Sequence, residues 1–455
     1  MVNTKVVSNK FQSVIAVLIG ALLMGFLWRV RGETGWGSSW GLLNAGFVFL
    51  LFVVLLVGNR QKMKFGWIGL TAASFMLTVP SWGTLLYQTC GVLYSSELHW
   101  QKGMDVVEIP VASGVAIMLS LGFGLATVFG VMLGRGLSEK QWKITDFIIV
   151  IAVFYAFNLL AKATVSHWIL ELIQPQAAQV YAQKLAEAGQ DGSVYHIYMQ
   201  HFDNLSWAKK IDGGRNYFSE IQAISSVISS IAVILATRFI VKDKRAARTG
   251  LVVSIAFAVA ITVADIFFFL SHGGYHMQND NLLPNGFSAW VLWEYFTGFI
   301  AGGIITAYII KLKPAEDVPE LALAKIPDKA KTVLTFLIGF VFAFGVNIAR
   351  PIMERGECIE NETLGIILAI VVAVAVTIPT AFKCGFGMEK TTMTKFASIA
   401  FPSFVIFIFV LYTFFQTFEK FEKEFLSGFS VINILLVISF VAILVWSLVN
   451  RKKAK

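Results

Sequence analysis

About twelve long apolar stretches run through this chain, and they leave few folds open to it. Each is close to the roughly 20 residues that an α-helix needs to cross the hydrocarbon core of a bilayer. The composition agrees, since 56% of the residues are hydrophobic, 14% are charged and the mean hydropathy is +0.71. We therefore predict an all-α, polytopic membrane protein in which 1–455 forms a single membrane domain. The predicted spans are 11–30, 40–58, 65–87, 111–134, 144–166, 219–241, 249–271, 289–311, 331–349, 363–382, 395–416 and 427–449.

Most of the 37 lysines and arginines fall on one side of these spans. Such residues favour the cytoplasmic side, which predicts that both termini are cytoplasmic. The net charge of +9 is then mainly an orientation signal. The basic residues are dispersed over short segments, so we expect no nucleic-acid partner. We expect the lipid bilayer of a cell membrane, a bacterial cytoplasmic membrane in particular, to surround the protein.

The histidines all fall on the opposite, outer side, an asymmetry that folding alone does not need. They are His99, His167, His196, His201, His272 and His276. Two connections are long: an outer loop at 167–218 and a proline-containing cytoplasmic linker at 313–329.

A short internal match suggests a repeat. Span two opens with Ser38-x-Trp40-x-Leu42-x-Asn44, and span eight opens with Ser288-x-Trp290-x-Leu292-x-Glu294. Because the two spans are six apart, both copies have the same orientation. The match favours a parallel 6+6 repeat with halves 1–245 and 246–455, a plan found in transporters.

The densest polar cluster follows the first span and includes Arg29, Arg31, Glu33 and Trp36. Arg29 and Glu33 are four residues apart and share a helix face, whereas Arg31 points nearly the opposite way. We expect one arginine to pair with Glu33 and the other to bind a carboxylate or phosphate through its planar guanidinium. The alternative is that both arginines extend to water beside an interfacial aromatic belt.

A second cluster follows the seventh span and contains Asp265, His272 and His276. An aspartate inside a span is costly unless it is paired or faces water. Asp265 is two helical turns from His272, and such a pair can relay a proton or orient a general base. His272 and His276 have helical ligand spacing, but Gly273-Gly274 between them argues against a helix. We predict no metal site there.

Other spans add charged and aromatic residues. Lys162 lies inside span five, so we expect a partner such as Asp265 or a bound anion. Trp293 and Glu294 lie about one turn into span eight, and Glu294 is expected to face the bundle interior. Arg350 directly follows the apolar run of span nine. The chain has no Walker A, H-E-x-x-H or C-x-x-C motif, and we expect no cofactor.

Two functions fit these patterns better than a third, a receptor, scaffold or assembly component. The first is a secondary transporter of a small anionic or polyhydroxylated solute, such as an acidic sugar, with Asp265 or Glu294 coupling transport to protons. Its predicted binding residues are Arg29, Arg31, Glu33, Trp36, Lys162, Asp265, His272, Trp293, Glu294 and Arg350. The second is a membrane-embedded transferase or hydrolase with an extracytoplasmic site for a glycan or glycolipid. Its candidate catalytic residues are Glu33, His272, His276 and Glu294.

Overall fold

The computed structural model describes a set of chain segments that is 92% helical and contains no strand. The described residues are 9–33, 37–57, 71–75, 111–173, 217–271, 289–312, 397–410 and 431–451, together with positions 175, 186 and 189. Within them, the predicted all-α class is confirmed. The predicted linker 313–329 and the predicted spans 331–349 and 363–382 lie outside the described residues, as does most of 65–87 and of the outer loop.

The structure gives the bounds of twelve helices, and residues 71–75 are also helical. In chain order they are α1 (Lys10–Glu33), α2 (Gly37–Val57), α3 (Val111–Leu125), α4 (Thr127–Arg135), α5 (Ile144–Ala163), α6 (Val165–Ile173), α7 (Tyr217–Phe239), α8 (Lys244–Ala264), α9 (Ile266–Ser271), α10 (Ala289–Lys311), α11 (Ala397–Val410) and α12 (Val431–Arg451).

Seven segments of these helices are long and apolar enough to cross a membrane, so the chain has the helices of a multi-pass membrane protein. They are Lys10–Arg31, Ala112–Arg135, Ile144–Ala163, Ile221–Phe239, Lys244–Ala264, Val291–Lys311 and Asn433–Asn450. The apolar stretches Gly41–Val57 and Ala397–Val410 are shorter. The total of twelve spans, the side of the termini and the 6+6 repeat stay predictions.

Three predicted spans are interrupted rather than continuous. Ala126 separates α3 from α4, Thr164 separates α5 from α6, and Asp265 separates α8 from α9. Thr164 leaves helical geometry at φ −135° and ψ −90°, while its hydroxyl donates to the Leu160 carbonyl. The apolar pattern continues through each interruption, so hydropathy alone predicts unbroken spans.

Asp243 sets the start of α8. One carboxylate oxygen accepts a hydrogen bond from the Ala246 N–H at 2.9 Å, a normal N-cap. The other oxygen accepts from the Trp142 indole at 2.9 Å. The helix therefore begins at Lys244, five residues before the predicted span at 249, and its cap is tied to the segment between α4 and α5.

Glycines allow α1 and α10 to pack backbone to backbone. A Cβ atom at Gly298 would overlap the Met24 carbonyl and lie 2.6 Å from the Trp28 Cβ. Gly20 faces Thr306 in the same way, and Gly302 faces Met24. The two helices are therefore antiparallel, and small residues at their interface allow the close packing.

The antiparallel packing gathers basic helix ends at one end of the bundle. This basic end includes Lys10, Arg135, Lys244 and Lys311. Glu294 lies near the other end, about 25 Å from Lys311 along α10 at 1.5 Å per residue. The two ends of the bundle therefore differ in chemistry.

Candidate functional site

A buried ion pair joins α1 to α10 at the end of the bundle opposite the basic end. Arg29 Nη1 donates to Glu294 Oε2 at 2.8 Å, and the two side chains are only 5% and 9% exposed. Glu294 lies one turn into α10, where the sequence predicts an inward-facing carboxylate, and its burial confirms that prediction. The pair lies just beyond the glycine contacts that bring the two helices together.

Arg31 also lies close to Glu294, although the sequence places it on nearly the opposite face of the helix from Arg29. Arg31 Nη2 is 3.7 Å from Glu294 Oε1. Its guanidinium lies over the Trp28 ring, 4.5 Å from the centroid, and its Nε donates to the Trp28 carbonyl at 3.4 Å. Helical side chains lean toward the N-terminus, so Arg31 runs back along its own helix to the level of Arg29.

Aromatic rings form the floor of this cluster of Arg29, Arg31 and Glu294, which we call the charge cluster. The Trp28 ring packs against Phe75 and Phe257 at centroid distances of 6.2 and 5.1 Å. Trp293, next to Glu294 on α10, is fully buried. The low dielectric of this floor strengthens the attraction between the charges and raises the cost of separating them.

The helix α2 closes the cluster on a further side through Gly41. A Cβ atom at Gly41 would overlap the Arg31 side chain, so only glycine leaves room for it. Neither Trp28 nor Gly41 is among the binding residues predicted from sequence. The i,i+3 spacing of Trp28 and Arg31 was the one available signal, because helix faces three residues apart are neighbours.

Two other predicted residues lie on different helices. Asp265 is fully buried in the interruption after α8, where its N–H donates to the Ile261 carbonyl at 3.1 Å. Lys162 is half-buried near the end of α5. One turn before it, Asn158 accepts from Gln222 of α7 at 3.3 Å. Lys162 therefore lies one helical turn beyond the polar contact between α5 and α7.

The remaining predicted residues are not placed by the structure. Trp36, His272, His276 and Arg350 lie outside the described residues. Glu33 ends α1, and its side chain is also outside what is described, so its predicted pairing with Arg29 stays a prediction.

His167 is the one histidine in the described part of the chain. Its Nε2 lies 3.6 Å from Glu171 Oε1, one turn later on α6. Burial lowers the pKa of His167 below its ordinary value, against the opposing effect of the Glu171 charge. Within the described segments, no three histidine, cysteine or acidic side chains come together as a metal site.

The charge cluster suits the binding of an anion in place of its own carboxylate. Two guanidinium groups converge on one carboxylate, and an external carboxylate or phosphate has the same acceptor geometry. Comparison with other proteins adds no further constraint: no protein-family model matches the chain, and no curated protein or solved structure is detectably similar to it.

Proposed function

We propose that this protein is a secondary transporter of a small anionic solute, with an acidic sugar as the representative substrate. The observation that carries the proposal is the charge cluster, buried inside helices that are long enough to cross a membrane. Ionisable groups within membrane-spanning helices are costly and commonly mark a solute or ion pathway.

In this mechanism Glu294 holds the place of the solute. Its carboxylate accepts a hydrogen bond from Arg29 Nη1 at 2.8 Å and lies 3.7 Å from Arg31 Nη2. The carboxylate of an acidic sugar would make the same contacts. An incoming anion exchanges with Glu294 for the guanidinium groups. Because the exchange replaces one carboxylate by another, most of the electrostatic stabilisation of the arginines is retained as the solute enters.

The same exchange couples the solute to a proton. Once displaced, a charged Glu294 would be a second negative charge beside the bound anion in a desolvated site, which is unfavourable. Protonation of Glu294 removes that charge, so solute and proton enter the site together. The outcome is symport, with Glu294 rather than Asp265 as the first choice for the coupling residue.

The aromatic floor and the burial of the cluster support a small, partly apolar solute. Trp28 is fully buried beside the charges, and an indole face suits the C–H surface of a sugar ring. All three residues of the charge cluster are buried, as an occluded, solute-free state requires. On this proposal the protein acts in a cell membrane, with its basic end in the cytoplasm.

Uptake into proteoliposomes tests the proposal. Purified full-length protein is reconstituted, and accumulation of radiolabelled glucuronate is measured with and without an inward proton gradient. We expect accumulation that collapses when a protonophore removes the gradient. Glu294→Gln should lose accumulation driven by the gradient but keep solute exchange between the two sides, because its side chain stays neutral.

A matched control separates the mechanism from general damage. Ser254→Ala removes a buried hydrogen bond to Thr127 between α4 and α8, away from the charge cluster, and should leave coupling intact. Loss of coupling in both variants, or gradient-driven accumulation by Glu294→Gln, would contradict the role given to Glu294. No uptake of any acidic sugar by folded wild-type protein would contradict transport itself.

The one-sided placement of all six histidines in the sequence favours the second function, an enzyme acting on a glycan or glycolipid outside the cytoplasm. Three of its candidate groups, Glu33, His272 and His276, would then act together with Glu294. Product formation from a lipid-linked sugar by the protein in detergent would distinguish the enzyme from the transporter. Detergent micelles do not separate two compartments, so transport cannot be measured in them.

A further inference from the structure

A second polar site lies at the basic end of the bundle, far from the charge cluster. It is an open cavity of about 460 Å³ between the start of α8 and the end of α10. Four cationic side chains and one hydroxyl line it, together with Leu312. The polar lining residues are Lys244, Arg245, Arg248, Tyr308 and Lys311.

Within the part of the chain that the structure describes, no carboxylate forms an ion pair with the cations of this cavity. Among the described residues, Lys244, Arg248 and Lys311 have no acidic side chain within 4.0 Å. The acidic residue nearest in sequence to the cations of α8, Asp243, is engaged by Trp142 and the Ala246 N–H. Arg245 is held in place by donating to the Leu137 carbonyl at 2.7 Å. The cavity therefore concentrates positive charge, with Arg245 held in a fixed position.

The cavity is also continuous with an apolar surface of α8. Leu251, Ile255, Val259 and Val263 are 37–49% exposed and recur every four residues on one helix face. Continued toward the N-terminus, that face reaches Arg248 and Lys244. An exposed apolar stripe on a membrane-spanning helix faces lipid chains, so the cations at its end lie at the level of the headgroups.

We propose that this cavity binds the phosphate of an anionic phospholipid whose acyl chains lie along the apolar stripe of α8. The guanidinium of Arg248 matches phosphate oxygens with two parallel donors, and Lys244 and Lys311 add point charges. The Tyr308 hydroxyl, now 3.2 Å from Thr249 Oγ1, is a further donor. A soluble phosphate would meet the same cations, but it would leave the adjoining apolar stripe unused.

Native mass spectrometry of the full-length protein in detergent tests the assignment. Phosphatidylglycerol and phosphatidylcholine of the same chain length are titrated separately, and inorganic phosphate is then added as a competitor. We expect wild-type protein to prefer phosphatidylglycerol. In the double variant Arg248→Gln/Lys311→Gln, its affinity should fall about thirtyfold, as expected for two interfacial cations.

The control variant Lys10→Gln/Lys143→Gln removes the same number of exposed cations from the same end of the bundle. Its phosphatidylglycerol affinity should stay at the wild-type value. An equal loss in both double variants would overturn the proposal, because it would mean diffuse attraction to the basic end. Displacement of the lipid by millimolar phosphate would also overturn it, in favour of a soluble anion. Equal affinity of the wild-type protein for phosphatidylglycerol and phosphatidylcholine would also overturn the proposal.

Discussion

The charge cluster makes a graded prediction about coupling energies. Arg29 donates to Glu294 at 2.8 Å, whereas Arg31 is 3.7 Å away, beyond hydrogen-bonding distance. In double-mutant cycles built from Arg29→Gln, Arg31→Gln and Glu294→Gln, the Arg29–Glu294 coupling should therefore be the larger. The cycle is needed because each glutamine also changes side-chain volume, an effect that cancels between the single and double variants.

The size of each term follows from burial and distance. Removing one partner of a buried ion pair costs about 3–5 kcal/mol, mostly because the other charge is left desolvated. A hydrogen bond to a charged group contributes about 1.5–3 kcal/mol, which is our expectation for the Arg29–Glu294 coupling. Without a direct hydrogen bond, the Arg31–Glu294 coupling should stay below about 1.5 kcal/mol. Neutral hydrogen bonds in membrane proteins average about 0.6 kcal/mol. The Arg29–Glu294 coupling must exceed that value.

The assay is reversible unfolding in mixed micelles of increasing SDS fraction, followed by far-ultraviolet circular dichroism. Each single and double variant is measured under the same conditions as the wild type. An Arg29–Glu294 coupling of about 0.6 kcal/mol or less would refute the buried ion pair as a stabilising contact. An Arg31 coupling larger than that of Arg29 would refute the geometry from which the ranking is drawn.

Three further outcomes follow from individual contacts. Gly298→Ala should destabilise the fold by about 1–3 kcal/mol through overpacking, whereas Gly303→Ala, whose Cβ would be in ordinary contact at 3.4 Å, should be tolerated in the same unfolding assay. Because burial lowers the pKa of His167, the unfolded chain binds that proton more readily. Stability should therefore fall as the pH drops below the ordinary histidine value of about 6.5, and His167→Gln should flatten that part of the profile. Asp243→Ala should cost about 1 kcal/mol or more through the lost N-cap and also alter the near-ultraviolet signal of Trp142; an unchanged stability would contradict the cap.

Helix positions were largely readable from the sequence because hydropathy and length are local properties. The predicted span 289–311 coincides with α10, and 11–30 lies within α1. The misses have local causes too. The start of α8 at Lys244 is charged and so falls outside an apolar window, although Asp243 supplies a recognisable cap. The interruption at Ala126 has no glycine or proline at that position to signal it.

The sequence predicts each residue of the charge cluster as a binding residue, but it does not predict that the three residues are in contact. Arg29, Arg31 and Glu294 all appear among the predicted binding residues, yet the sequence pattern pairs Arg29 with Glu33. Helical periodicity identifies neighbours on one helix, while Arg29 and Glu294 are 265 positions apart in the chain. Their meeting depends on the glycine contacts between α1 and α10, which set the register of one helix on the other.

Those glycine contacts also have a mechanical consequence. Met24 and Trp28 of α1 sit directly against Gly298 of α10, so neither helix can slide past the other without a backbone collision. The two helices would then move as one rigid body during any conformational cycle. Bending would then occur at the helix interruptions, which are Ala126, Thr164 and Asp265. Cross-links at these three positions should stop the motion without disturbing the packing of α1 on α10.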